Sequence, residues 1–209
     1  MAIVWRCSLS VDEYVAAGRE VDVPRPDCPG CGRPMKFRSG YRREARQGGG
    51  LGRKLWVRRA QCVRCRCSHA LLPSFLLERR LDAVGDIGTV LEAVCDAVSV
   101  VGRLAEDRDV PYTTARDWVR RFRARAPMLA AGFAALVVAL GAEAEIETLA
   151  VDVGRRALGA LRLVAAAVGA SSGWLWALGS LVTGGKMLGS ATDPPWTILG
   201  GRRFMPPVP

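Results

Sequence analysis

The sequence predicts an α+β fold: a small N-terminal zinc-ribbon β-hairpin, a helix-turn-helix, and an Ala-rich C-terminal helical segment. Three observations predict it. Two CxxC pairs, Cys28/Cys31 and Cys62/Cys65, flank about 30 residues rich in β-formers. An apolar stripe at helical spacing, Ala115, Trp118, Val119 and Phe122, follows the turn-like stretch RDVP. After Pro127 the composition changes to Ala, Leu and Val punctuated by Gly. These divide the chain into a ribbon domain at 1–78, a helix-turn-helix at 79–127 and a helical segment with a Pro-rich tail at 128–209.

The elements follow in order. MAIVWRCSL reads as a short strand. SVDEYVAAGREV reads as a short helix, with Ser10 as N-cap and Glu13 three residues on completing a capping box. This strand and helix are expected to pack against the ribbon. Pro24 and Pro26 keep the approach to Cys28 extended. MKFRSGYRREA and KLWVRRAQC are the two strands of the hairpin, and QGGGLG between them reads as a flexible tip. Residues 81–126 read as amphipathic helices, with 82–97 as a supporting helix and Pro127 as the end. The tail from Asp193 reads as irregular.

The cysteines carry the chemistry. Cysteines at i and i+3 place both sulfurs on one side of a tight turn, and two such pairs supply a closed tetrahedron for a structural zinc ion. The expected ligands are Cys28, Cys31, Cys62 and Cys65. Gly32 follows the first pair, but Arg66 follows the second. That leaves Cys67 or His69, the single histidine, as alternates for one member. Cys7 and Cys95 lie among apolar residues and read as buried free thiols.

The formal net charge is +10, which points to a polyanionic partner. Only Lys36, Lys54 and Lys186 of the 30 basic residues are lysines, so Arg-rich codon usage accounts for part of it. Distribution is more informative than the total. Residues 25–80 hold fifteen basic residues against Asp27, Glu44 and Glu78, a net of +12. Residues 81–111 are net −5, and 113–126 return to +4. In a recognition helix starting at Tyr112 or Thr113, the residues Thr113, Thr114, Arg116, Arg120 and Arg121 would face double-stranded DNA. Short polar residues and Arg can reach base edges, and the later arginines suit phosphates. From the ribbon, Arg58 and Arg59 would meet phosphates.

An enzyme is not expected. A transposase-type centre needs three carboxylates on a strand-based scaffold. After residue 127 the acids are Glu143, Glu145, Glu147, Asp152 and Asp193, in an Ala-rich helical context. The C-terminal helices either form a homodimer or dock a separate protein, or else complete the core. The 23 uncharged residues from Leu163 to Gly185 are long enough to span a bilayer. Their Gly, Ser and Thr content favours a buried helical hairpin turning at SSG, without a membrane. No signal peptide is visible, so the expected location is cytoplasmic and nucleoid-associated.

DCPGCG, CVRCRCSHALLP, RRLD at 79–82 and GRLAEDRDVPYTTARDWVRRFR resemble uncharacterised actinobacterial proteins that join a zinc ribbon to a helix-turn-helix. These transposase-like proteins are similar to the N-terminal DNA-binding modules of insertion-sequence transposases. The resemblance covers about residues 1–130, with a weaker echo in PPWTILGGRRF. It implies Cys28, Cys31, Cys62 and Cys65 as ligands, and Thr113, Thr114, Arg116 and Arg120 as DNA-facing positions. The CSHALLP run keeps His69 among the ligand candidates. The resemblance implies a regulator or a mobile-element-associated recognition protein, or an accessory subunit or truncated transposase.

Overall fold

The computed structural model describes residues 2–142, 152–189 and 196. The fold is α+β. Strands β1 (Ala2–Trp5), β2 (Met35–Ala45), β3 (Arg53–Cys62) and β4 (Ser68–Pro73) form one sheet in the order β1-β4-β3-β2. Helices α1 (Val11–Ala17), α2 (Val84–Cys95), α3 (Val101–Asp107), α4 (Tyr112–Ala139), α5 (Val153–Ala167) and α6 (Leu175–Val182) make up most of the rest.

The expected hairpin is present, but it is half of a larger sheet. The run SHALLP is a strand, and its Arg59↔Ala70 to Gln61↔Ser68 pairing extends β3 antiparallel. The N-terminal strand then pairs with β4 in parallel, Ala2 opposite Ala70. Alternation alone could not reveal this, because Leu71, Leu72 and Pro73 are all buried. Between Arg38 and Tyr41 the β2–β3 register shifts, a bulge at which a Cβ on Gly40 would run into Val57 and Trp56. The α1 capping box forms as read: Ser10 and Glu13 each accept from the other's backbone N–H. Tyr14 then buries fully and donates its hydroxyl to the Trp56 carbonyl at 3.1 Å.

Two apolar cores result. The first runs from Ala2 to Leu76 and includes Tyr14, Met35, Leu55, Val57, Leu71 and Leu72. The second gathers the helices from Leu77 onward around Trp118, Phe122, Leu129 and Phe133. Full burial of each such side chain contributes about 1.5–3 kcal/mol. That explains the clearest departure from expectation. Pro127 does not end its helix: α4 continues to Ala139. The proline ring removes one backbone hydrogen bond and crowds the carbonyl of Arg123. Ala126 just before it and Leu129, Phe133, Leu136 and Val137 beyond it are all buried, and their packing carries the helix through. Residue 127 is therefore not a structural break.

By length and composition α4 is also the one described helix apolar enough to cross a membrane. Here its apolar side is packed into the second core. The uncharged run at 163–185 is not a continuous helix. Gly169 (φ 64°) follows α5, and the 310 turn Ser172–Trp174 and α6 depart at a bend of 118°. Glu143, Glu145, Glu147 and Asp193, and the tail apart from Trp196, lie outside the described residues. Asp152 caps α5, accepting from the Arg155 N–H at 2.9 Å.

The hairpin tip is not the flexible loop expected from its glycines. Arg46 pairs with Leu81 and Ala83 through two backbone hydrogen bonds, and its side chain lies 3.3 Å from the Asp82 carboxylate. The Gly48 N–H donates to Asp86 at 2.8 Å, and Asp86 also takes Arg108 at 3.2 Å. Gly49 lies directly against the backbone of Arg108 and the Cβ of Asp109. The tip is thus clamped to the start of α2 and to the α3–α4 turn. Gly48 and Gly49 both have positive φ, 62° and 71°. Gly48→Ala, whose Cβ meets nothing within 4 Å, should cost only the strain of about 1–2 kcal/mol. Gly49→Ala should cost clearly more, because its Cβ would fall on the Arg108 carbonyl. Urea unfolding of the two variants side by side checks this ordering.

Candidate metal centre

The site forms where the hairpin begins and ends. Cys28 and Cys31 precede β2, Cys62 closes β3, and Cys65 lies in the turn toward β4. The pairing of Met35 with Cys62 brings the two turns together. All four sulfurs lie within 4.8 Å of one another. Cys28 Sγ is 3.5 Å from Cys65 Sγ, and Cys31 Sγ is 3.4 Å from Cys62 Sγ. Cys28 and Cys62 are buried, while Cys65 is exposed.

The two turns are built alike. In the first, Gly32 N–H donates to the Cys28 carbonyl and Cys28 N–H to that of Arg33, both at 2.8 Å. In the second, Arg66 N–H donates to the Cys62 carbonyl at 3.2 Å and Cys62 N–H to that of Cys67 at 3.0 Å. The residue after each pair takes the left-handed conformation, φ 67° at Gly32 and φ 62° at Arg66. Arg66 thus occupies a glycine position, and the missing glycine does not change the geometry of the turn.

This places the two alternates. Cys67 corresponds to Arg33; its carbonyl closes the second turn and its side chain is exposed. His69 sits on β4 opposite Ala60, 5% exposed. Neither belongs to the four-sulfur group. Cys7 and Cys95 are buried as expected, and burial raises both thiols, Cys95 to about 11.

The electrostatics of the group are uneven. The Cys65 backbone N–H, 3.5 Å from Cys62 Sγ, is the main influence lowering the Cys62 thiol to about 6. At Cys65 the Cys67 backbone favours the thiolate, but the sulfurs of Cys28 and Cys62 outweigh it and push the thiol up to about 12. One thiolate is easily formed and a further one is resisted by its neighbours. A cation among the sulfurs removes that resistance, because each thiolate then faces positive charge. The four cysteines can hold a metal ion.

The other predicted site residues lie elsewhere. On α4, Thr113, Arg116 and Arg120 are exposed, and Thr114 and Arg121 are half-buried. Arg116 lies over the Tyr112 ring, 5.7 Å from its centroid. Arg120 and Arg121 both reach Asp117 at 2.6 Å, with Arg80 at 3.6 Å. The bonds from Arg120 and then Arg121 hold the Asp117 carboxyl below its ordinary range. Asp117 was missed as an organiser, though its i+3 and i+4 spacing to two arginines is a legible signal. Of the two arginines expected at phosphates from the hairpin, Arg59 is exposed, but Arg58 is occupied. Its guanidinium donates to the Arg19 carbonyl at 2.9 Å and stacks 5.0 Å from the Phe37 centroid.

Fold and site together define an α+β protein in which a four-cysteine cluster capable of metal binding closes one end of a β-hairpin. Residues 28–106 match a family described as a domain of unknown function (DUF6431). The match starts at the first cysteine of the cluster and ends within α3, so α4 lies outside it. No curated protein and no solved structure matches the chain.

The likeness of the two turns gives a test. Arg66→Gly should leave metal binding intact and raise stability by about 0.5–1 kcal/mol, because glycine takes positive φ freely. Gly32→Ala should lower stability by about 1–2 kcal/mol, as at Gly48, because its Cβ likewise meets nothing and only the left-handed strain remains. Unfolding of the metal-loaded variants checks both signs.

Proposed function

We propose that this protein is a non-catalytic, zinc-binding, helix-turn-helix DNA-binding protein. Its role is that of a regulator or a mobile-element-associated recognition protein. The observation that carries the DNA reading is the division of α4 into two faces. Ala115, Trp118, Val119 and Phe122 are buried, while Thr113, Arg116 and Arg120 are exposed. α3 and the turn at Arg108–Pro111 precede it, with Asp109 at φ 49° and Val110 buried between the helices. A short helix, a tight turn and a second helix with an exposed polar start is the layout that delivers side chains into a major groove. In this reading Thr113, Thr114 and Arg116 reach base edges. Arg120 and Arg121, oriented by Asp117, reach phosphates.

Zinc is the ion that suits the cluster best. Four thiolates at zinc–sulfur bonds of about 2.3 Å require sulfur–sulfur edges of about 3.8 Å in a tetrahedron. The 3.4 and 3.5 Å separations and the 4.8 Å limit on the group bracket that value. Four cysteine ligands leave no open position, so the ion would be structural. Bound there, it would fix the two turns and hence the base of the hairpin.

Two results are expected. Selection of bound fragments from random duplex DNA at physiological salt should enrich one motif. Arg116→Ala should then cost about 1–3 kcal/mol and relax preference at one position. Selection without enrichment, or equal losses on every sequence, would remove the recognition-helix role. Stripping the metal with a chelator should abolish hydrogen-exchange protection over residues 28–67 while α2, α4 and α5 keep theirs. Unchanged protection at 28–67 would count against the zinc assignment.

A further inference from the structure

The structure separates the ribbon's basic residues into those that serve the fold and those that do not. Arg43 is committed: it donates to the carbonyls of Leu77 and Arg80. Arg46 pairs with Asp82, Arg53 with Asp12, and Arg58 with the Arg19 carbonyl. Lys36, Arg38, Arg59, Arg64 and Arg66 form a different group, set apart from the equally exposed Arg42 and Lys54 by lying near the cysteines, where Arg33 is exposed as well. All five are exposed, and among the described residues none has a carboxylate within ion-pair distance.

These five lie together at the metal end of the hairpin. Lys36 and Arg38 are two apart on β2, so they share a face. Arg59 is directly opposite Arg38 across the β2–β3 ladder. Two arginines in cross-strand register repel, and nothing within the described fold offsets that. Neutral groups hold the arrangement in place instead. Arg38 Nε donates to the Gln61 side chain at 3.1 Å, and the Gln61 amide donates to the Arg66 carbonyl at 3.0 Å. Arg38 is thereby tied to the second cysteine turn without losing its charge. A like-charged, pre-positioned cluster of this kind is suited to an external polyanion.

Its position relative to α4 gives the cluster a length scale. The opposite end of the hairpin is clamped to the α3–α4 turn, and a groove of about 890 Å³ there is lined by Gly49, Gly50, Pro111 and Tyr112 among others. Lys36 and Arg46 are ten residues apart along the chain, at most about 33 Å at roughly 3.3 Å per residue, and the bulge between Arg38 and Tyr41 shortens that. One turn of duplex DNA is about 34–36 Å.

We propose that the Lys36/Arg38/Arg59 face, with Arg64 and Arg66 beside it, is a second contact with duplex DNA. It grips the sugar–phosphate backbone about one helical turn from the groove that α4 reads. This rests on the DNA-binding reading of α4 and adds to it a defined surface and a spacing. The hairpin acts as a ruler: its tip is fixed at the recognition helix and its metal end delivers the phosphate contacts. Such contacts raise affinity on every sequence alike and leave base preference untouched.

Hydroxyl-radical footprinting of the zinc-loaded full chain on its selected site, combined with affinity against salt, tests the proposal. The wild-type protein should protect two patches centred about one helical turn apart. Lys36→Gln/Arg38→Gln/Arg59→Gln changes exposed side chains, and retained metal content and far-UV spectrum would show it folded. That variant should lose the distal patch only. Its slope of log affinity against log salt should shrink by about 2 to 3, since each phosphate contact contributes roughly 0.9. The enriched motif should stay the same. An unchanged slope with both patches intact, or a single wild-type patch, would overturn the second contact while leaving α4 as the reader. No protection by the wild type at low salt would overturn both.

Discussion

Four sulfurs drawn within 4.8 Å of one another are the constraint on which the first half of this protein depends. The sequence places them at both ends of a hairpin, so their meeting fixes where β2 starts and where β3 stops. Ionising the whole group is resisted, as at Cys65, where against the pull of the Cys67 backbone the sulfurs of Cys28 and Cys62 push the thiol up. A cation inverts the sign of that interaction. With zinc bound, as proposed, residues 28–66 become a loop closed at its base, and the backbone turns at Gly32 and Arg66 are the shape that closure requires.

The consequences travel along the hairpin. Its far end is held by Arg46, Gly48 and Gly49 to Asp82, Asp86 and the α3–α4 turn. Ser180 and Gly185 in the C-terminal helical part add hydrogen bonds to the Leu76 carbonyl and the Glu78 amide, at 2.6 and 2.9 Å. The two cores are therefore joined at several points by backbone and buried polar groups. Arg80 links the same region to Asp117 on α4 and to the Leu188 carbonyl. A hairpin fastened at its tip to the α3–α4 turn gives the arginines at its metal end a defined place relative to α4. The division of labour among the hairpin's cations follows: Arg43, Arg46 and Arg58 hold partners within the fold, and Lys36, Arg38 and Arg59 are exposed to solvent.

Legibility in the sequence followed the range of the interactions. Local rules worked. The Ser10–Glu13 capping box, the buried stripe from Ala115 to Phe122 and the cysteine spacing are short-range patterns, and the structure contains all three. Where tertiary packing overrode a local preference, the sequence misled. Pro127 reads as a helix end, yet the second core holds α4 together through Ala139. QGGGLG reads as loose, yet it is pinned by residues more than thirty positions away. The parallel pairing of β1 with β4 joins segments about 68 residues apart, and no local pattern announces it. Arg58 and Arg59 looked equivalent as phosphate contacts; only the cross-strand register and the Phe37 ring separate their roles.

The most direct test of the account is the metal itself, measured on the purified chain by elemental analysis together with X-ray absorption at the zinc edge. The account predicts one zinc per chain with a single shell of four sulfurs at about 2.3 Å and no nitrogen. A chain that folds fully without metal would contradict the closure of the hairpin as its organising constraint. A shell of three sulfurs and one nitrogen would contradict the four-cysteine site and return His69 to the ligand set.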